Sequence, residues 1–88
     1  MTKERKQEIK KIADRLLKRK EELESMKNDV EELLDAEEND RDEMPESQEK
    51  RIEKAEEAIE FFGSALDSID DALIGLDDAL SFLNNILE

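Results

Sequence analysis

Carboxylates are the only side chains abundant enough in this sequence to suggest chemistry. Asp67-Ser68-Ile69-Asp70-Asp71 sets three acids in one short run, and Asp77-Asp78 repeats the theme one heptad later. Clustered carboxylates can hold a hard cation, or share a proton as general acid and base. Each use has requirements. A calcium loop needs a glycine turn and a distal glutamate, and neither stands at the right distance here. Acid–base work needs a pocket that raises one carboxyl pKa. These acids instead recur at helix positions b, e and f, which are expected to face water, and a continuous helix points neighbouring carboxylates apart. The run therefore reads as a solvated acidic face.

The chain has no His, Cys, Trp or Tyr. Without His, the commonest general base and the usual transition-metal ligand are missing. Without Cys there is no disulfide framework and no thiolate zinc site. No glycine-rich phosphate loop and no nucleophile beside a base occurs. We expect no enzyme, no catalytic residue, no metal site and no cofactor.

The acidic face remains the best lead to function. Glu56, Glu57, Glu60, Asp67, Asp70, Asp71, Asp77 and Asp78 span about 33 Å of helix, roughly one charge per 4 Å. Two such faces side by side approach the one charge per ~1.7 Å of duplex DNA. One reading is a partner-binding surface that mimics DNA and occupies a basic protein. The other is that the charge only keeps a small helical oligomer in solution.

These acids must be positioned by helices. The 88 residues are 47% charged and 36% hydrophobic, with net charge −13. Ile52, Ala55, Ile59, Phe62, Leu66, Ile69, Leu73, Leu76, Leu80, Leu83 and Leu87 follow an unbroken 3-4 spacing, which keeps one seam of an α-helix against a partner. Pro45, the only proline, breaks the chain into two halves of equal length. The spacing predicts one domain, residues 1–88: helix 1 over about 2–42, a joint at 43–46 and helix 2 over about 46–87, with Pro45 in its first turn. The expected class is all-α, an antiparallel two-helix hairpin.

Helix 1 shows a heptad of Ile9, Ile12, Leu16, Leu23, Met26, Val30 and Leu33, interrupted by Arg19. Pairing outward from the turn puts Leu33 near Ala55, Met26 near Phe62, Leu16 near Leu73 and Ile9 near Leu80. Arg19 either lays its stem on the seam with its charge at the edge, or marks a polar register device or ligand contact. Charge favours the antiparallel fold. Residues 1–20 carry nine basic and three acidic side chains, whereas residues 55–88 carry nine acidic and no basic ones.

Helix 2 is apolar over a wider arc than one partner needs. Ala58, Phe61, Ala65, Ala72, Gly75, Ala79, Phe82 and Ile86 lie beside the seam. They predict an oligomer interface, most simply a homodimer forming a four-helix bundle with the second helices central. Phe61-Phe62-Gly63 is its oddest step. Gly63 reads either as close packing or a slight bend, or as a partner-binding notch beside Phe61.

The run Met44-Pro45-Glu46-Ser47-Gln48-Glu49, entering the segment Ala58-Ile59 through Ala72-Leu73, resembles small acidic coiled-coil proteins encoded by phages and prophages of Gram-positive bacteria. That group has a charged first helix, a Met/Leu-Pro-Glu joint and an acidic second helix. The likeness covers about residues 35–80. This chain departs from the pattern in a shorter segment after Pro45 and in Phe61-Phe62-Gly63. The resemblance implies a phage setting, and with it an accessory protein that binds and inhibits a host protein, such as a nucleic-acid-binding defence protein. A structural or assembly module is the competing expectation. No apolar run reaches the ~18–20 residues of a membrane span. The expected setting is therefore the host cytoplasm, with a second copy and a basic host protein as partners, and no direct nucleic-acid or membrane binding.

Overall fold

The computed structural model describes all residues, Met1–Glu88, as a hairpin of two long helices, α1 (Lys3–Glu43) and α2 (Glu49–Leu87). The rod measures 69 × 15 × 14 Å. Thr2 caps α1, its Oγ1 accepting from the Arg5 N–H at 3.2 Å, which satisfies one of the donors a helix start leaves free. At the other end Met44 is extended (φ −71°, ψ 131°), the geometry a following proline imposes.

The joint differs from the expected 43–46. It runs over residues 44–48, and α2 begins at Glu49 rather than at 46. Pro45 lies in the turn itself and not in the first turn of α2. Its carbonyl accepts from the Gln48 N–H at 2.9 Å, so the reversal uses the residues assigned to the helix. Gln48 sits at φ −101°, ψ 54°, outside helical geometry, and caps α2 with no side-chain bond. Its Oε1 accepts from Arg51 Nη1 at 2.7 Å instead.

The longer joint shifts the pairing of the helices. Three ion pairs cross between them, Lys20–Asp77, Lys27–Asp70 and Arg41–Glu56. The residue numbers of each pair add to 97, so all three share one antiparallel register. The symmetry point lies at Gln48 and not at Met44. Leu23 comes within one residue of the level of Leu73, and Leu34 of that of Phe62, each helix moved by about one turn from the register expected above.

The α2 seam is as the spacing indicates: all eleven of its residues are half-buried or buried. The α1 seam is not. The covered residues of α1 are Ile9, Ala13, Leu16, Lys20, Leu23, Lys27, Val30, Leu34, Glu37 and Arg41, again in unbroken 3-4 steps. Ile12, Met26 and Leu33, assigned above to the seam, are exposed. Arg19 is outside it too: its side chain is 64% exposed and pairs with Glu22 at 3.0 Å on the same helix. The seam cations are Lys20 and Lys27, whose stems cover apolar surface while their ammonium groups reach the edge. Only Ala13 and Ala55 are fully buried, so the hairpin closes a thin core.

Candidate protein-interaction surfaces

The two edges of the hairpin differ in character. One edge carries every interhelical ion pair. Lys20 Nζ lies 2.6 Å from Asp77 Oδ1, and Lys27 Nζ 2.7 Å from Asp70 Oδ1. Arg41 donates to Glu56 Oε1 through Nη2 at 2.7 Å and Nε at 3.2 Å. The three acids recur at one heptad position of α2, and the three cations at one seam position of α1. The hydrogen bond from Lys20 to Asp77 raises the lysine pKa above its ordinary 10.5, against a smaller lowering by desolvation. Lys27 is raised in the same way by its hydrogen bond to Asp70 and by that carboxylate's charge.

This geometry divides the acidic face. Glu56, Asp70 and Asp77 are turned toward α1 and hold it, contrary to the expectation that all eight acids face open water. Glu57, Glu60, Asp67, Asp71 and Asp78 are exposed, and none forms an ion pair. They lie on the outer side of α2. Once the register is fixed, the spacing separates the two sets: cations at 20, 27 and 41 mirror acids at 77, 70 and 56.

The opposite edge has no interhelical ion pair; it is apolar along α2 and mixed along α1, where Arg5, Arg19 and Asp40 alternate with apolar residues. On α2, Ala58, Phe61, Ala65, Ser68, Ala72, Gly75, Ala79, Phe82 and Ile86 form a second 3-4 stripe beside the seam. Phe61 and Phe82 are 66% and 69% exposed, and Ile86 is exposed as well. Ala65, Ala72 and Gly75 are exposed, whereas Ala58 and Ala79 are half-buried at the seam margin. On α1, Ile12, Met26 and Leu33 each precede a seam residue by one position, as Ala58, Ala65, Ala72, Ala79 and Ile86 do on α2. In antiparallel helices such positions line one shared edge. Sequence spacing had placed these three residues inside the hairpin; the structure places them beside the alanine row. A shallow depression of about 230 Å³ opens nearby among Ile12, Arg15, Leu16 and Arg19.

Gly63 is not explained by close packing within the chain. A Cβ built there, or at Gly75, meets nothing within 4 Å. Phe62 beside it is half-buried in the seam.

No three His, Cys, Asp or Glu side chains converge on a common point. No helix is long and apolar enough to cross a membrane. No family model matches the chain, and no curated protein or solved structure matches it.

Proposed function

We propose that this chain is a non-enzymatic protein-interaction module, an acidic helical hairpin that binds a basic partner protein and inhibits it by occupying its surface. The observation that carries the reading is the row Glu57, Glu60, Asp67, Asp71 and Asp78, exposed and without cationic neighbours in bonding range. Five free carboxylates over about 32 Å of one helix form a rigid, pre-ordered polyanionic edge. Such an edge attracts cationic protein surfaces and repels nucleic acid. The likeness to phage-encoded proteins supplies the setting: a host protein in the host cytoplasm, with a nucleic-acid-binding defence protein as the natural target of a DNA mimic. One such row has about one charge per 6 Å, so mimicry of duplex DNA calls for two rows, and hence a homodimer.

The test is charge reversal of those five residues to Lys, leaving Glu56, Asp70 and Asp77 in place because they hold α1. Binding to a basic nucleic-acid-binding protein, and its displacement by duplex DNA, are then measured. The reading requires both to be lost while helix content is kept. Binding that survives reversal, or that DNA does not displace, rules out mimicry.

A second reading, an assembly module without inhibitory activity, is favoured by the apolar edge. It requires function to follow Ala65, Ala72 and Phe61 and to tolerate the reversed acidic row.

A further inference from the structure

The apolar edge is built from two helices and has no cover within the chain. We propose that a second copy of this chain covers it, packed antiparallel, so that the joint of one protomer lies beside the termini of the other. This rests on the self-association reading above and specifies its geometry.

Three features point to this occupant and this direction. The first is the α2 stripe itself. It reads the same in both directions: small residues from Ala65 to Ala79, then Phe61 at one end and Phe82 at the other. Turned end for end about Ala72, Phe61 meets the level of Phe82, Ala65 that of Ala79 and Ser68 that of Gly75. The row of small side chains lets two α2 helices approach closely, and the phenylalanines close both ends of the contact.

The second feature is the row on α1. Turned end for end, Arg5 meets the level of Asp40, Ile12 that of Leu33, and Arg19 that of Met26. Ile12 then faces Leu33, the Arg19 stem comes level with Met26 while its guanidinium is held by Glu22 on its own helix, and opposite charges face each other at both ends. In the hairpin register the centre of this row lies within about 4 Å, by helix rise, of the level of Ala72. Both rows therefore share one two-fold axis, as an isologous dimer requires.

The third is charge along the rod. Residues 1–20 and 77–88, which form the open end, carry nine basic and six acidic side chains, net +3. Residues 21–76 carry five basic and 21 acidic ones, net −16. A parallel pair stacks like on like along the whole length. An antiparallel pair sets each basic end against the acidic body of its partner, which favours that direction. The stripe from Ala58 to Ile86 is about 42 Å long on a rod 15 Å wide. Its footprint of about 600 Å² per protomer gives roughly 1,200 Å² in all, the lower edge of stable interfaces.

The test uses the full chain. Sedimentation equilibrium reads mass against concentration, and energy transfer reads direction through dyes on introduced cysteines, unique because the chain has none. We expect twice the 10.2 kDa chain mass. Transfer should be efficient between Ser47→Cys on one protomer and Glu88→Cys on the other. It should be absent between two Ser47→Cys protomers, whose joints lie about one rod length, 69 Å, apart. Ala72→Glu and Ala65→Glu should each halve the mass with helix content kept. A monomer at all concentrations, strong transfer between two joints, or a dimer that survives both variants overturns the proposal. The assay contains no basic partner, so an intact antiparallel dimer that fails to bind one refutes the inhibitor reading alone.

Discussion

Two adjacent leucines decide which face of α1 meets α2. Leu34 is mostly covered in the seam, whereas Leu33 is 56% exposed on the apolar edge. Truncation to Ala keeps the helix in both cases, because Ala is the best helix former. At Leu34 it removes apolar surface that the fold takes from water. Full burial of a Leu contributes about 1.5–3 kcal/mol, and cavity terms add to that in a tight core. In this open two-helix seam the loss should be about 1–2 kcal/mol. For a domain of this size each kcal/mol moves the melting temperature by about 4–8 °C, so Leu34→Ala should lower Tm by about 4–16 °C. At Leu33 the hairpin itself should lose less than about 0.5 kcal/mol, as at ordinary surface sites. The assay is thermal melting by circular dichroism over a dilution series. Leu34→Ala should be destabilised at every concentration. Leu33→Ala should differ from the parent only where the parent Tm rises with concentration. If Leu33→Ala is the weaker protein in dilute solution, the seam runs through Ile12, Met26 and Leu33, and the register derived from the three ion pairs is wrong.

The raised lysines give a pH dependence of fixed sign. Lys20 and Lys27 have folded pKa values above their ordinary 10.5, so their contribution is complete below that pH and is lost as pH rises through the folded values. Melting between pH 9 and 12 should show Tm falling from about pH 10.5 upward, with the fall reduced in Lys20→Met/Lys27→Met; an equal fall in that variant would assign it to other groups. Gly63→Ala should stabilise the hairpin by about 0.5–1 kcal/mol, since its Cβ meets nothing within 4 Å. A loss of stability on urea titration would show a close approach at Gly63 that the hairpin does not contain.

The two helices were not equally legible in the sequence. The α2 seam could be read directly because every position in it is apolar and most are large, whereas the stripe beside it is mostly Ala and is broken by Ser68 and Gly75. On α1 two rows compete, and both share Ile9, Leu16, Leu23 and Val30. One adds Ile12, Met26 and Leu33; the other adds Ala13 and Leu34 with Lys20, Lys27 and Arg41. Counting apolar residues selects the first. The fold selects the second, because a lysine stem covers a seam nearly as an aliphatic chain does and its charge finds a carboxylate on α2. Seam lysines of this kind specify register at some cost in stability. The break at Pro45 was legible, but the length of the joint was not, since it depends on the Pro45–Gln48 turn. Of the acidic face, its abundance could be read; which carboxylates hold α1 could not, until the register was known.

The division of charge along the rod has a further consequence. At physiological ionic strength the Debye length is about 8 Å, against a rod of 69 Å. A molecule at the open end therefore meets the local +3 and senses almost nothing of the −16 beyond it. Electrostatically the hairpin is two objects on one shaft. Its isoelectric point near 4.4 describes their sum, which a small molecule near one end does not encounter. A small ion near the open end of a single hairpin therefore meets a locally cationic surface.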